Sequence, residues 1–259
     1  MKIVVCVKQV PDTEAEKRLL PDTWTVDRES SNPVLNEMDE FAIEEALKLV
    51  EAHGGEVTVL TMGPDNADSA LRKALSMGAD AGIHLVDDAL AGSDAVATSY
   101  AIAQALATTE YDLVILGSEA SDARTSLVPA MLAERLGLPQ LTFASKVTID
   151  GTAIQIQRLT DYGHDIVEAS LPAVVSVVEK INEPRYPSFK GIMAAKKKPV
   201  QTLDLAALGL DAASVGWAGS RSKVVDATVA PPRAKGTIVT DEGNGGVELV
   251  EFLASKKFV

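Results

Sequence analysis

Cysteine, histidine and aromatic residues are scarce in this chain of 259 residues, whose aromatic content is only 4%. The single cysteine, Cys6, excludes an internal disulfide and favours a reducing compartment, so we expect the bacterial cytoplasm or an equivalent location. The three histidines lie far apart in the sequence, at His53, His84 and His164, and show no metal-ligand spacing. The sequence therefore predicts no metal site.

Long apolar runs are missing as well. Hydrophobic residues make up 46% of the chain, yet no run approaches the roughly 20 residues that cross a bilayer. The amino-terminal stretch MKIVVCVKQV lacks a small-residue cleavage site, so it predicts a β-strand rather than a signal peptide. We expect a protein that is neither secreted nor membrane-spanning.

Positive charge is in deficit, because the formal net charge is -13. Neutralisation of phosphates by lysine and arginine dominates binding to nucleic acids, so this balance argues against a nucleic-acid partner. The basic run at residues 196–198 is too short to change that conclusion.

What the first half of the chain has is an alternation of β-rich and helix-period segments. Four strands are predicted at KIVVCVKQV, EVTVLTMG, GIHLV and DLVILGSEAS. Helices are predicted at NEMDEFAIEEALKLVEAHGG (with Asn36 as its N-cap), NADSALRKALSMG, SDAVATSYAIAQALA and DARTSLVPAMLAERLG. This order indicates an α/β fold with an open, mostly parallel, Rossmann-like sheet in the order 3-2-1-4-5 and helices on both faces.

The pattern changes in the second half of the chain. The segments TAIQIQRL, HDIVEAS and PAVVSVV alternate like strands and predict a meander that finishes the sheet. After Pro199 the regularity fades, and only the final VELVEFLASKKF has a helical period. We predict a nucleotide-binding domain over residues 1–195, ending in a loop at 184–195, and an extended arm over residues 196–259 that docks on another surface.

A binding site is predicted where the strand order reverses. In open parallel sheets, ligands bind beyond the carboxyl ends of the strands at that point, here between the first and fourth predicted strands. The segments at this edge are VKQVPDT, TMGPDN and GSEASDARTS. The last segment leads into a helix for which Ser126 is the predicted N-cap, leaving the amides of Leu127 and Val128 as free donors.

Neighbouring side chains strengthen the case for an anion at this helix start. Thr125 and Ser126 add hydroxyl groups, and Arg124 adds a cation. Pro129 is tolerated because it falls in the first turn. Such a terminus suits one phosphate. The alternative is that Ser126 acts only as a cap, because serine and threonine cap helices of every function.

Motifs for chemistry on a nucleotide are absent. No GxGxxG follows the first predicted strand, and no Walker lysine loop occurs. The chain has neither a nucleophile elbow nor a Ser-His-Asp pattern. Asp12, Asp39 and Asp122 are candidate acids, although aspartates at strand ends are often caps. The sequence therefore favours a site that holds a nucleotide without transforming it.

The stretch NEPRYPSFKGIMAAKKK, residues 182–198, places apolar side chains in a turn-rich segment of an acidic chain. These side chains are Tyr186, Phe189, Ile192 and Met193. One interpretation is a linker whose aromatic residues fold back on the core. The other is a surface that docks on a partner, with an apolar centre and charged residues at its rim.

Several of these segments resemble, in order and spacing, the β subunits of electron transfer flavoproteins. They are VKQVPD, LNEMDEFAIEEAL, ALSMGAD and INEPRYPSFKGIMAAKKK. The segment IQRLTDYGHDIVEASLPAVVSV is similar to a characteristic region of that family, matching at Ile156, Arg158, Asp161, Gly163, Pro172, Val174 and Val175. It departs at Tyr162, where a small or acidic residue is usual, and at Asp165, where a glutamate is usual. The resemblance covers nearly the whole chain.

The resemblance implies a structural AMP in this chain and a redox FAD held mainly by a larger α subunit. The residues that it places around AMP are Cys6, Asn36, Glu37, Met38, Asp39, Met62, Gly117, Ser118, Ser121, Asp122, Ala123, Arg124, Thr125, Ser126, Leu127 and Val128. It places Thr13 and Met38 near the FAD of the partner subunit. The chain departs from the family at Arg124 and Leu127, where a second acid and a glutamine are usual. The arginine either replaces a lost phosphate contact or favours a diphosphate ligand.

The resemblance also implies a function, that of an electron carrier rather than an enzyme. Such a heterodimer takes electrons from acyl-CoA-type dehydrogenases of fatty acid oxidation and passes them to a quinone oxidoreductase at the membrane. Residues 184–195 would be its recognition loop, with Phe189 as the protruding apolar side chain, and the arm would dock on the α subunit. One alternative is a bifurcating form in which a second FAD replaces AMP. Another is a stand-alone adenine-nucleotide-binding module, against which the long arm counts.

Overall fold

The computed structural model describes residues 1–233, 235–236 and 238–259 of the chain. The chain forms two compact units, Met1–Val225 and Asp226–Val259. The strands of the first unit are β1 (Lys2–Val7), β2 (Gln9–Pro11), β3 (Pro33–Leu35), β4 (Glu56–Met62), β5 (Ala81–Leu85), β6 (Leu113–Gly117), β7 (Gln140–Asp150), β8 (Ala153–Thr160), β9 (Gly163–Ser170), β10 (Ala173–Val177) and β11 (Val200–Leu203). Its helices are α1 (Glu37–His53), α2 (Asp68–Met77), α3 (Ala95–Leu106), α4 (Val128–Leu136), α5 (Phe189–Ala195), α6 (Leu205–Leu208) and α7 (Gly216–Gly219), and the second unit contains α8 (Gly245–Ser255).

A nine-stranded sheet in the order β11-β5-β4-β1-β6-β10-β7-β8-β9 dominates the first unit. β1 lies near its middle, paired in parallel with β4 and β6, because its apolar run lets five of its six residues be buried. The four strands predicted first lie in the spatial order third, second, first and fourth. The prediction of an α/β fold with a mostly parallel sheet is confirmed.

Beyond the fourth predicted strand, the order differs from the expected 3-2-1-4-5. β10 lies beside β6, and β7, which comes earlier in the chain, lies one place further out. All five residues of β10 are buried, so this strand needs a neighbour on each side. β7 alternates between buried and exposed residues over much of its length and continues into an antiparallel ribbon with β8 and β9. The predicted meander is therefore correct for TAIQIQRL and HDIVEAS but wrong for PAVVSVV, which forms the parallel strand β10 between β6 and β7.

The core has two layers because successive side chains of a strand point to opposite faces of the sheet. Ile3 and Val5 of β1 pack in one layer with Ile43 of α1 and other side chains of α1 and α2. Val4 and Cys6 pack in the other layer with side chains of α3 and α4. Both layers meet the sheet at β1 and β6, whose carboxyl ends are therefore held rigidly side by side.

The first unit extends past the boundary predicted at residue 195. β11 adds to the sheet edge by parallel pairing with β5, which would otherwise be an edge strand. Lys198, which was expected to begin an extended arm, donates hydrogen bonds from Nζ to the carbonyls of Leu75 (3.0 Å), Gly78 (3.1 Å) and Ala79 at the end of α2. Burial lowers the pKa of this lysine. The compact unit ends at Val225, so only the last part of the predicted arm is separate.

The second unit contains the helix α8 that the final helical period predicts. None of the residues of α8 is buried, and its exposed apolar side chains include Val247, Leu249, Val250 and Phe252. Of the helices in the described part of the chain, none combines the length and apolarity needed to cross a bilayer.

Candidate functional site

The candidate site lies at the carboxyl ends of β1 and β6, which are adjacent in the sheet. The N-terminus of α1 approaches this edge so closely that only glycine fits at Gly117, the last residue of β6. A Cβ atom there would lie 2.6 Å from Oδ1 of Asp39 and 2.7 Å from Cβ of Met38. The structure therefore brings together the predicted residues of α1 and of the β6–α4 loop, residues 118–127.

Asp39 joins the two strand ends through its carboxylate. Its Oδ2 accepts a 2.8 Å hydrogen bond from the amide of Lys8, and its Oδ1 accepts a 3.2 Å bond from the amide of Gly117. Burial raises the pKa of this carboxyl to about 7, although both backbone hydrogen bonds act to lower it. Asp39 therefore connects the two strand ends by hydrogen bonds, and its carboxyl group changes charge near neutral pH.

Asn36 links α1 to the β6–α4 loop. It is the N-cap residue of α1, as predicted, but its side chain makes no capping hydrogen bond to the helix. Instead, Nδ2 donates to the carbonyl of Glu119 at 3.0 Å, and Oδ1 accepts from the amide of Ser121 at 3.1 Å. This buried side chain fixes the backbone of the loop at two points.

The prediction that Ser126 caps the following helix is wrong. The N-cap residue of α4 is Leu127, and no side chain caps this helix. Ser126 has a φ of 52° and Arg124 a φ of 47°, which lie in the left-handed region that side chains rarely adopt. Within the described residues, the amides of Thr125, Ser126, Leu127 and Val128 donate to no protein acceptor. A loop of this kind, which alternates in the sign of φ, presents its amides to anions.

Two polar side chains of the loop add to this donor set. The hydroxyl of Ser121 is buried and has no hydrogen-bond partner in the described part of the chain. The guanidinium of Arg124 is largely exposed, with Nε 3.8 Å from Oε1 of Glu119. Leu127 is half-exposed beside them. The loop can therefore offer amides, a hydroxyl group and a cation to a negatively charged ligand.

A segment that we call the strap, residues 12–32 between β2 and β3, lies against the β6–α4 loop. Asp122 holds it, because its carboxylate accepts a hydrogen bond from Nη2 of Arg28 (2.6 Å). The same carboxylate accepts a hydrogen bond from Nζ of Lys8 (3.0 Å), which lies just before the strap in the chain. Lys17 donates from Nζ to the carbonyl of Ser121 at 2.8 Å. Burial acts to raise the pKa of Asp122, but the two cations outweigh it and hold the pKa below its usual value.

Sequence reasoning did not find these strap contacts. For Lys8, the sequence offered one signal of a role at this site, namely the resemblance of its VKQVPD segment to a family motif. Lys17 and Arg28 lie in an irregular segment with charges of both signs, and nothing local indicates which of them pairs with Asp122. The role of Glu119 was missed as well, although it lies inside the predicted loop.

The remaining predicted residues lie around the same edge. Met62 is the last residue of β4, the neighbour of β1. Thr13 donates from Oγ1 to Oε1 of Glu37 at 2.9 Å, on the exposed side of the edge. Cys6 is buried in the layer formed with α3 and α4, and burial raises the pKa of its thiol. A buried thiol with a raised pKa is a poor nucleophile, so Cys6 serves to pack this edge.

The segment at residues 182–195 forms a second candidate site on the surface. Arg185 fixes it to α1 by hydrogen bonds from Nε to Glu44 (2.7 Å) and from Nη1 to Glu51 (2.6 Å). These carboxylates raise the pKa of the guanidinium. Residues 189–195 form α5 rather than an irregular loop, with Ser188 as a side-chain N-cap.

The apolar side chains of this segment point away from the core. Tyr186 is 94% exposed and Phe189 is 81% exposed, while Ile192 and Met193 are about half-exposed. The interpretation in which the aromatic residues fold back on the core is therefore wrong. We refer to these four side chains as the apolar surface of the segment. A group of exposed apolar side chains within one short segment is typical of a docking site.

Comparisons with known proteins agree with the resemblance noted in the sequence. A family model described as "Electron transfer flavoprotein domain" matches residues 23–208. The chain is 51% identical over 263 residues to an electron transfer flavoprotein subunit beta of Mycobacterium tuberculosis, with 99% of each chain covered. It is 40% identical over 261 residues to the protein of that name in Thermoanaerobacterium thermosaccharolyticum, with 100% of each covered. It is also 36% identical over 267 residues to protein FixA of Azotobacter vinelandii, covering 100% of this chain and 95% of FixA.

Proposed function

This chain belongs to the electron transfer flavoprotein family as a β subunit, and from that premise we propose how it acts in a heterodimeric electron carrier. It assembles with an α subunit, holds AMP as a structural ligand at the β1–β6 edge, and lies beside an FAD that the α subunit holds. The carrier takes electrons from acyl-CoA-type dehydrogenases and delivers them to a quinone oxidoreductase at the membrane.

One observation carries the assignment of the nucleotide. Within the part of the chain that the structure describes, the β6–α4 loop combines free amides with the buried, unpartnered hydroxyl of Ser121. Buried polar groups are nearly always hydrogen-bonded in native proteins, so a lone hydroxyl at this position favours a ligand with polar atoms. One phosphate group, with its strong acceptor oxygens and negative charge, fits this donor set.

The residues of this chain bind and position, while the flavin supplies the redox chemistry when it is bound. Asn36 and Asp39 fix the loop and the strand ends against α1. Thr13, paired with Glu37 at the exposed rim, belongs to the face that we propose meets the flavin of the α subunit. The apolar surface formed by Tyr186, Phe189, Ile192 and Met193 would meet the dehydrogenase.

The same loop supports a second candidate function. Arg124 adds a cation on a long, flexible side chain. Its charge is only weakly compensated by Glu119, because the two groups are 3.8 Å apart. An additional cation suits a diphosphate better than a monophosphate, because each phosphate adds negative charge. This favours a bifurcating carrier with a second FAD in place of AMP as the alternative.

Identification of the bound nucleotides decides between these functions. The β chain is co-expressed with its α subunit, the heterodimer is purified, and the nucleotides are released by denaturation and identified by chromatography and mass spectrometry. We expect one AMP and one FAD per heterodimer. Two FAD and no AMP would instead establish the bifurcating type. A β chain that is purified alone with its nucleotide, and that forms no complex with α, would support the stand-alone module.

A further inference from the structure

Glu119 lies near the start of the β6–α4 loop, two residues after β6. Its Oε1 lies 3.8 Å from Nε of Arg124, and its Oε2 accepts a 3.4 Å hydrogen bond from Oγ of Ser126. The two donors are a cation and a hydroxyl group, and both are suited to binding a phosphate. A carboxylate of the protein thus bridges two groups that suit an anionic ligand.

These contacts are weak compared with others at the same edge. The pairs that Asp122 makes with Arg28 and Lys8 are 2.6 and 2.8 Å long, and the Asp122 side chain is only 1% exposed. The side chains of Arg124 and Glu119 are 70% and 34% exposed, and exposed ion pairs contribute little to stability. The pair with Arg28 therefore holds the strap in place, whereas the Glu119 contacts can be exchanged at little cost.

The backbone of Glu119 is fixed independently of its side chain. Its carbonyl accepts the 3.0 Å hydrogen bond from Nδ2 of Asn36. Two residues later, the amide of Ser121 donates to Oδ1 of Asn36. The carboxylate can therefore turn away from Arg124 without moving the loop. A side chain that a ligand displaces must be able to move in this way, without disturbing its own backbone.

We propose that Glu119 is an internal competitor of the phosphate, a carboxylate that holds Arg124 and Ser126 until a nucleotide displaces it. This inference rests on the proposed function, since it concerns the same site. A carboxylate and a phosphate repel each other at such distances, so both cannot share these donors. The consequence is that Glu119 lowers the affinity of the loop for phosphate-bearing ligands and eases their release.

The test compares Glu119→Gln with the unmodified chain in the complete heterodimer, after bound AMP has been removed. The glutamine keeps the size of the side chain and removes its charge. Calorimetric titration with AMP and with adenosine separates the phosphate from the rest of the ligand. We expect AMP to bind about tenfold tighter to the variant, because a negative charge a few ångströms from the phosphate is lost. The affinity for adenosine, which has no phosphate, is expected to stay unchanged. Unchanged or weaker AMP binding by a folded variant would overturn the inference.

Two further variants sharpen the result. Glu134→Gln removes an exposed carboxylate from the last turn of α4, outside the loop, and is expected to change neither affinity. In an Arg124→Gln background, the gain from Glu119→Gln is expected to shrink, because the cation that Glu119 holds is already gone. A full gain in that background would show that Glu119 does not act through Arg124, contrary to the proposal.

The outcomes distinguish this inference from the proposed function. Retained FAD absorbance and an unchanged melting temperature establish that each variant is folded. If the unmodified heterodimer binds AMP and Glu119→Gln leaves that affinity unchanged, only the role of Glu119 is refuted. If neither protein binds AMP, the proposed AMP site is refuted, and the inference with it.

Discussion

The carboxylate of Asp122 accepts a 2.6 Å hydrogen bond from Arg28, which lies 94 residues earlier in the chain. This pair joins the strap to the β6–α4 loop, and the Asp122 side chain is almost fully buried beneath it. The strap and the loop therefore form one structural piece over the carboxyl ends of β1 and β6. Disruption of the pair is expected to affect both segments.

Arg28→Ala is expected to loosen the strap and to lower the stability of the fold by about 1.5 kcal/mol, the cost of losing a hydrogen bond to a buried charge. Because the pKa of Asp122 is held below its usual value, this contribution is present above about pH 4 and disappears as the pH falls through the lowered pKa. Thermal melting and limited proteolysis at residues 12–32, at pH 7 and below pH 4, measure both effects. The matched control is Arg18→Ala, which removes a strap arginine paired only with the exposed Glu16. Equal behaviour of the two variants would contradict the prediction.

Asp39 is expected to make stability depend on pH near neutrality. Burial raises its pKa to about 7 from an ordinary value of 3.8, so the folded state binds a proton in that range that the unfolded state has released. The contribution of this group to stability therefore falls as the pH rises from 3.8 towards 7, by up to about 1.4 kcal/mol per pH unit.

The variant Asp39→Asn isolates this dependence. Asparagine does not titrate, but it replaces one acceptor oxygen with a donor, so a constant loss of stability is expected at every pH. The test is the difference in melting temperature between the unmodified protein and the variant, measured from pH 5 to pH 8. This difference is expected to shrink up to about pH 7 and then to level off. A difference that stays constant from pH 5 to pH 8 would mean that the carboxylate is ionised in the folded protein throughout this range.

The sequence allowed the central strands and the position of the site to be predicted, because both depend on local patterns. The near-continuous apolar run of β1 requires neighbours on both sides, which places it inside a parallel sheet. The carboxyl ends of β1 and β6 then meet by topology alone. The insertion of β10 between β6 and β7 was not predictable in this way, because strand order depends on pairing between distant segments.

Three local expectations failed for reasons that the structure makes clear. Serine is a common N-cap residue, but the backbone of Ser126 is left-handed, and the N-cap of α4 is Leu127. Lys198 looks like a solvated charge in the sequence, yet it binds the last carbonyls of α2. Residues 184–195 look like a loop in the sequence, yet residues 189–195 form α5. A Cβ at Gly191 would lie 2.5 Å from the carbonyl oxygen of Ser76, so the close packing of α5 on α2 requires glycine there.

Ser121→Ala is expected to have opposite effects on stability and on nucleotide binding. Among the described residues the Ser121 hydroxyl has no hydrogen-bond partner, and it is buried, so its removal is expected to stabilise the nucleotide-free protein by about 1 kcal/mol. If the hydroxyl binds the ligand, the same change lowers the affinity for AMP about fivefold, the value of one hydrogen bond. Melting of the nucleotide-free heterodimer and titration with AMP measure the two effects.

Thr160→Val is the control for the serine variant. Oγ1 of Thr160, on β8 and away from the site, is another buried hydroxyl that has no partner in the described part of the chain, and valine has nearly the same shape as threonine. We expect it to increase stability without any change in AMP affinity. A Ser121→Ala protein that binds AMP as well as the unmodified one would remove this hydroxyl from the binding site.

Truncation after Val225 is expected to abolish the heterodimer while preserving the fold of the first unit. The removed residues contribute α8, whose apolar side chains are exposed in the isolated chain and suit burial against the α subunit. Size-exclusion chromatography after co-expression measures assembly, and thermal melting measures the fold. A truncation at residue 198 serves as the contrast, because it also removes β11 and the buried side chains of Leu203 and Val215 and so destabilises the first unit. A stable, FAD-loaded heterodimer of the 1–225 chain would refute the proposed role of the second unit.

Phe189→Ala is expected to weaken electron acceptance from a dehydrogenase without any effect on the fold. The side chain is 81% exposed, so its truncation removes little packing from the chain. Loss of an apolar residue at the centre of an interface costs about 2 kcal/mol, equivalent to a roughly 30-fold rise in the apparent KM for the carrier. The assay uses an acyl-CoA dehydrogenase with the heterodimer as electron acceptor. Tyr162→Ala, which truncates an 82% exposed aromatic residue at the β8–β9 turn, is expected to leave KM unchanged. A Phe189→Ala protein that melts early yet accepts electrons normally would make this residue part of the fold, because truncation of a core phenylalanine costs about 3–5 kcal/mol.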